Sequence, residues 1–285
     1  MVSAWKTFRF AAWLGWQAES NWADPYLFAI YSVIRPVSSV LVTVFMYLFV
    51  LGLGAGQTDP RTQSWFQLMY IGSVLYMYVF QVLFGLSWII MEDREHYKTL
   101  KYWYITPSNL YIYLFGRGVS RIVVTTIATF IVLLVGWLVF GITFNIDPWR
   151  LPFFFAATFL GLFGLLGFGI ILAGISLVVA RHNQFLGESI GGVFYLLSGV
   201  LFPISVLPSW LHGASLSLPI TYWIEAGKRS LLGYGDPVLQ GFSDTTILFI
   251  LLVSTAAFLA LSHLVFKLCD HHARMNGYID RTTWF

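Results

Sequence analysis

Long apolar segments alternate with short polar connections along this chain, and their lengths predict its main elements. A helix that crosses a membrane needs about 20 mostly apolar residues, and six segments have this character. They run approximately from Pro25 to Leu53, Phe66 to Met91, Asn109 to Phe140, Leu151 to Ala180, Phe185 to Phe202 and Thr245 to Leu268. The pattern predicts an all-α membrane protein with six transmembrane helices, forming a single domain over residues 1–285.

The residues before the first span, 1–24, predict a separate helix. Trp5, Phe8 and Trp16 recur near helical spacing, with Lys6 among them. Indole rings and basic side chains are both favourable at the membrane–water interface. This pattern favours a helix that lies in the interface, and the alternative is a ragged start of the first span.

The connection between helices 5 and 6, residues 203–244, is not a simple loop. It contains apolar pieces that are too short to cross a membrane and are separated by Pro203, Pro208 and Pro219. Such pieces are typical of re-entrant or interfacial helices. After helix 6, residues 269–285 predict a polar tail.

Composition and charge extend this prediction to an orientation. The chain is 58% hydrophobic and 10% charged, against about 45–50% and 25% in ordinary soluble domains. Its cations concentrate in the N-terminal segment, the connection between helices 2 and 3, and the tail. The positive-inside rule therefore predicts a multi-pass protein of the cytoplasmic (inner) membrane with both termini in the cytoplasm. Lys228 and Arg229 oppose this orientation, but they lie in the long segment that folds back.

The densest run of charge, Glu92–Lys101, follows the second span. It has two interpretations, a solvated cytoplasmic loop or a short helix lying across the membrane axis. The helix would begin near Glu95, present Leu100 and Trp103 on one face, and end at Thr106-Pro107-Ser108. The residues alone do not decide between the two.

This run resembles the cytoplasmic coupling segment of ABC transporter permeases of the type-two export class. The matching residues are Arg94-Glu95, Thr99-Leu100, Thr106-Pro107 and Gly116-Arg117, with Lys98 where the family usually has glycine and Lys101 where it has an acid. A second match follows the fifth span, in Gly199–Ile204, Leu207–Leu211, Leu218–Tyr222, Glu225-Ala226 and Leu231–Gly233. It resembles the family's outer re-entrant region.

The resemblance implies the membrane subunit of an ATP-driven exporter of a drug, lipid or lipid-linked glycan. Two permease subunits, identical or paralogous, would pair within membrane lipid. Two ABC ATPase subunits, which bind ATP and Mg, would dock beneath them; no nucleic-acid partner is implied. The implied coupling residues are Arg94, Glu95, Lys98, Thr99, Leu100 and Lys101, and the implied outer gate comprises Pro203, Pro208, Pro219 and Glu225.

Several residues within the spans are candidates for a substrate pathway, with structural packing as the alternative for each. They are Arg35, Tyr76, Phe80, Glu188, Phe194 and Tyr195. Glu188 is the acid best placed to fall inside a span, although a position one turn inside the cytoplasmic face is an equally simple interpretation. Gly187 and Gly191 form a GxxxG pattern, which favours either subunit pairing or packing within the chain.

Other functional classes receive little support. No GxxxxGK[ST] loop for nucleotide phosphates occurs, because Gly227-Lys228 lacks the upstream glycine and the following Ser or Thr. His271-His272 has no further ligands at metal-binding spacing, and no acid–base–nucleophile set can be assembled. We therefore predict no catalytic and no metal-binding residue. An ion-coupled carrier or channel that works without an ATPase is the alternative function.

Overall fold

The computed structural model describes residues 3–20, 60–179 and 183–280, with scattered positions between 34 and 49. Every regular element in this part of the chain is helical. The helices are α1 (Ala4–Ser20), α2 (Pro60–Val79), α3 (Gly85–Met91), α4 (Leu100–Ile105), α5 (Leu110–Leu138), α6 (Leu151–Val178), α7 (Asn183–Leu197), α8 (Ser209–Ser217), α9 (Pro219–Leu232) and α10 (Asp244–Met275). The all-α prediction is confirmed for these residues.

Four helical stretches are long and apolar enough to cross a membrane. They are Gln63–His96, Leu110–Leu138, Pro148–Val178 and Asp244–Met275, and they correspond to the second, third, fourth and sixth predicted spans. The first predicted span falls mostly outside the described residues. The fifth corresponds to α7, which has 15 residues. A count of six spans therefore stays a prediction.

Two helices extend beyond the ends that the sequence predicted, for identifiable reasons. The second span continues beyond Met91 through a π-helical turn, Glu92–His96. The sixth continues beyond Leu268 to the end of α10, so part of the predicted tail is helical. One turn of this extension is supported by an ion pair between Asp270 and Arg274, whose Oδ2 and Nε atoms lie 3.0 Å apart.

Helices α6 and α10 form the most extensive helix pair among the described residues. A Cβ at Gly167 would lie 3.0 Å from the Phe258 carbonyl carbon, and one at Gly174 would lie 3.2 Å from the Phe266 Cα. Small residues permit this close approach of two backbones, which maximises packing where lipid supplies no hydrophobic drive. The pair therefore behaves as one packed unit.

Helix α1 lies along the first half of α5. Its Ala11 and Gly15 are buried, whereas Trp5, Phe10 and Trp13 are exposed on the opposite face. This division is the one expected for a helix with one face on protein and one at a membrane interface.

The segment after α7 contains two short helices that begin at prolines. Pro208 immediately precedes α8, and Pro219 occupies the first turn of α9. Proline is favourable there because its missing N–H would have no partner within the helix. The predicted short helices between prolines are present, while their depth in a membrane stays a prediction.

The contact between α1 and α5 makes a testable prediction. A Cβ at Gly116 would lie 2.8 Å from Ala11 Cβ and 2.8 Å from the Phe8 carbonyl oxygen. We expect Gly116→Ala to lower the free energy of unfolding by about 1–3 kcal/mol through overpacking, measured by thermal unfolding in detergent. The matched control is Gly213→Ala in α8, where nothing lies within 4 Å of the added atom. It should be neutral or stabilising, and equal losses at both sites would contradict the packing.

Candidate functional site

The predicted coupling segment lies in the connector, residues 92–109, which joins the second span to α5. Its central group is the buried carboxylate of Asp93, which is 3% exposed. Asp93 Oδ2 accepts a hydrogen bond from Tyr113 Oη at 2.9 Å, and Oδ1 accepts one from Thr99 Oγ1 at 3.2 Å. The backbone closes the same turn, because Thr99 N donates to the Asp93 carbonyl at 2.7 Å. A buried charge needs such partners, so this group fixes the turn.

Arg94 is directed into the protein. Its side chain is 1% exposed, and its Nη1 donates to the carbonyl of Ser176 at 3.3 Å, within the last turn of α6. Its Nε lies 3.4 Å from Glu95 Oε1. Carbonyls at a helix C-terminus lack partners within the helix and favour a cation. Arg94, which is paired with Glu95, therefore attaches the connector to α6.

Two further contacts hold the inner face of the connector. Arg117 Nη2 of α5 lies 3.9 Å from Glu92 Oε2, and the ring of Trp103 packs on the Tyr113 ring at an interplanar angle of 34°, with centroids 3.9 Å apart. Both contacts join the connector to α5. Charge pairing and aromatic packing thus anchor it on the same helix.

The opposite face of the connector is exposed and mixes apolar with basic groups. Tyr97 and Tyr102 are each 55% exposed and Ile105 is 79% exposed, with Lys98 and Lys101 exposed among them. Large apolar side chains rarely gather on a surface that faces only water. This face has the character of a contact site for another protein.

Lys98 has an unusual backbone conformation. Its φ angle is 52°, the only positive value for a non-glycine residue in the described chain. In this left-handed backbone region the Cβ of a lysine is sterically crowded, whereas glycine has no Cβ. The family pattern has glycine at this position, and the backbone conformation at Lys98 is one that favours glycine. This agreement supports the alignment of the motif.

The far end of α4 contacts α10. Tyr104 Oη donates to Asp270 Oδ1 at 2.8 Å, and the Arg274 guanidinium lies 4.7 Å from the centre of the Tyr104 ring. Burial, and next the Asp270 carboxylate, raise the pKa of Tyr104 above its usual value. The phenol therefore stays protonated and acts as the donor.

The structure thus brings the six implied coupling residues into one element but gives them different roles. Lys98 and Lys101 are exposed, Leu100 is buried, and Thr99 bonds to Asp93. Sequence reasoning missed the anchoring residues Asp93, Tyr113, Tyr104 and Asp270. Their partners lie 6 to 166 residues away along the chain, so no local pattern indicates them.

A second cluster of buried charge lies in α9, among residues predicted to form an outer gate. Glu225 Oε1 lies 2.7 Å from Arg229 Nε, and Glu225 Oε2 accepts from Asp236 N at 2.9 Å. Arg229 Nη1 reaches Asp244 Oδ1, at the start of α10, at 3.2 Å. Removing one partner of a buried pair costs about 3–5 kcal/mol, so this cluster holds the segment together.

Lys228 is also buried, and its Nζ donates to the carbonyl of Gly199 at 2.6 Å. Burial lowers its pKa, while Glu225 and Asp236 oppose that shift. Lys228 and Arg229 are therefore internal cations with structural partners and not exposed surface charge. Their burial weakens the conflict with the positive-inside rule but does not remove it.

The pathway candidates separate into buried and exposed groups. Tyr76 is buried and bonds to the Gly191 carbonyl, with the Tyr195 ring 4.8 Å away, and Phe194 packs on Phe168. Phe80 and Glu188 are exposed. Arg35 lies outside the described residues.

The GxxxG pattern in α7 is used within the chain. A Cβ at Gly187 or Gly191 would overlap the Phe84 ring, so both glycines accommodate this side chain. Packing within the chain is therefore the correct interpretation for these two residues. Gly192 and Val193 instead form part of the exposed face of α7.

An apolar crevice lies between α6, α9 and α10. Its walls include Phe168, Trp223 and Phe258, and two hydroxyl groups beside them are already bonded. Ser254 Oγ donates to the Ile250 carbonyl, and Thr255 Oγ1 donates to the Leu160 carbonyl. The crevice therefore offers mainly hydrocarbon contact. The described residues contain no group of three metal-ligating side chains that could hold an ion.

The backbone at Lys98 makes a second prediction. We expect Lys98→Gly to raise the free energy of unfolding by up to about 1 kcal/mol, and Lys98→Val to lower it by at least about 1 kcal/mol. Thermal unfolding in detergent measures both. Lys98→Ala, which removes the charge but keeps the Cβ, is the control and should lie between them. A loss of stability in Lys98→Gly would contradict the assigned conformation.

Two comparisons with known proteins bear on the identity of this chain. The sequence profile of the family described as ABC-2 type transporter matches residues 10–232. Two relatives from Escherichia coli, of strains K12 and O157:H7, are each named probable multidrug ABC transporter permease YbhR and are 27% identical over 152 residues. That stretch is 53% of this chain and 40% of each relative, so the chain matches less than half the length of these proteins. Since the family match covers most of the chain, including the connector and α9, this chain belongs to the ABC-2 type transporter family.

Proposed function

We propose that this chain is the membrane subunit of an ATP-driven exporter and that its connector receives the movement of a separate ABC ATPase. The observation that carries the proposal is the exposed face of Tyr97, Lys98, Lys101, Tyr102 and Ile105 on a connector whose inner face is anchored by buried charge. Family membership supports the ATPase partner, which would bind ATP and Mg.

The proposed architecture follows the sequence prediction. Six helices cross the cytoplasmic membrane, both termini and the connector face the cytoplasm, and α8 and α9 re-enter the membrane from outside. A second permease subunit pairs with this chain. The exposed amphipathic α1 supports the interfacial position of the N-terminal segment.

The proposed substrate is hydrophobic or amphipathic, such as a drug, a lipid or a lipid-linked glycan. The names of the E. coli relatives, probable multidrug permeases, support this class. Alternating access between the paired subunits would move the substrate outward while ATP binding and release move the connector.

A substitution on the exposed face tests the docking. Tagged chain purified from its own cell membranes should carry an ABC ATPase with it. We expect Ile105→Asp to weaken that association about tenfold or more, because an exposed apolar anchor is replaced by a charge that must be desolvated. Quantitative mass spectrometry of the purified complex measures the loss.

The matched control is Ile146→Asp, which places the same charge at an exposed isoleucine beyond the other end of α5. It should leave the bound ATPase unchanged. Equal ATPase recovery with Ile105→Asp and wild type would contradict docking through this face. Substrate flux by the chain in vesicles without any ATPase would favour the carrier or channel instead.

A further inference from the structure

Helix α10 is bonded to functional elements at both of its ends. Near its C-terminus, Asp270 accepts the hydrogen bond of Tyr104, which belongs to α4 of the connector. At its N-terminus, Asp244 pairs with Arg229 of the buried cluster in α9. The 32-residue helix is thus attached at one end to the exposed connector and at the other to the gate segment.

The separation of these two contacts matches the thickness of a membrane. From Asp244 to Asp270 the helix rises about 39 Å at 1.5 Å per residue, and a bilayer with its headgroups measures about 40–45 Å. The two contacts therefore lie near opposite membrane surfaces. A displacement at one end can reach the other only if the helix moves as a unit.

Packing against α6 supports movement as a unit. The contacts of Gly167 with Phe258 and of Gly174 with Phe266 bring the two backbones close over the middle of α10. Thr255 Oγ1 adds a hydrogen bond to the Leu160 carbonyl at 2.8 Å. Close-packed helices do not deform continuously, so a shift of Asp270 is carried along the pair.

The contact at Tyr104 has the properties of a mechanical link. It is a hydrogen bond to a charged acceptor, the class that contributes most. Arg274 strengthens it twice, because its Nε lies 3.0 Å from Asp270 Oδ2 and its guanidinium lies over the Tyr104 ring. The neighbouring Tyr102, by contrast, is exposed on the other face of α4.

We infer that α10 transmits movement of the connector to the outer gate segment, and that Tyr104 and Asp270 are the positioning residues that connect α4 to it. This inference rests on the proposed function and adds a route by which docking at one membrane surface affects the other. The inference assigns a role to the part of α10 beyond Leu268. A helix does not need this extension in order to cross the membrane.

The experiment follows the gate segment directly and needs no substrate. In the purified complex with its ABC ATPase, the single native cysteine is removed by Cys269→Ser, and Trp210→Cys places a maleimide fluorophore on α8, where Trp210 is 76% exposed. ATP with Mg should change the emission of this label. In this background Tyr104→Phe should shift the equilibrium between the two emission states about tenfold toward the state without ATP, since it removes one charge-assisted hydrogen bond.

Three controls separate transmission from folding and docking. Tyr111→Phe makes the same chemical change in α5, where it removes the hydrogen bond between Tyr111 Oη and Ser262 Oγ of α10 without changing α4, and it should respond like the parent. Bound ATPase and basal ATP hydrolysis should be unchanged in Tyr104→Phe. Combining Tyr104→Phe with Asp270→Asn should add little to either change alone, because the two residues act through one bond.

The outcomes distinguish this inference from the proposed function. A Tyr104→Phe response equal to that of Tyr111→Phe overturns the inference and leaves the exporter assignment intact. A response that falls only as far as bound ATPase falls also overturns it, since Tyr104 would then be structural. If the parent protein binds no ABC ATPase, the proposed function fails and this inference fails with it.

Discussion

The buried carboxylate of Asp93 is the constraint on which the connector depends. A charge at the end of a membrane helix is stable only with partners, because desolvation of an uncompensated ion costs several kcal/mol. The partners come from two directions, Thr99 just beyond the turn and Tyr113 on α5. Satisfying both bends the chain sharply after the second span, places Lys98 in the left-handed region and starts α4 at Leu100.

The same physical rule organises the opposite end of the molecule. Only 10% of the residues are charged, and α9 buries three of them together, Glu225, Lys228 and Arg229. Each has a named carbonyl or charged partner, so the segment after α7 is held by polar bonds where its short helices bury little apolar surface of their own. The connector contacts α10 through Tyr104, and the α9 cluster contacts it through Arg229, so this helix connects the two regions.

The sequence predicted the elements better than the contacts. Apolar length located the four helical stretches of the described residues that are long enough to cross a membrane, and prolines located the starts of α8 and α9. The family motif located the connector, and the family match confirms the resemblance. These features depend on residues adjacent in sequence.

The directions of the charges within the connector could not be predicted in the same way. Arg94 and Lys101 belong to one charged run, yet Arg94 bonds to the end of α6 and Lys101 faces outward. The distinction depends on carbonyls more than 80 residues away. The GxxxG pattern shows the same limit, because the size of glycine indicates close packing but not that Phe84 of the same chain fills the space. In a membrane protein with few charges, the partner of each polar side chain therefore decides whether that side chain is buried or exposed. The exposed face of the connector consists of the side chains that take no part in the buried bonds.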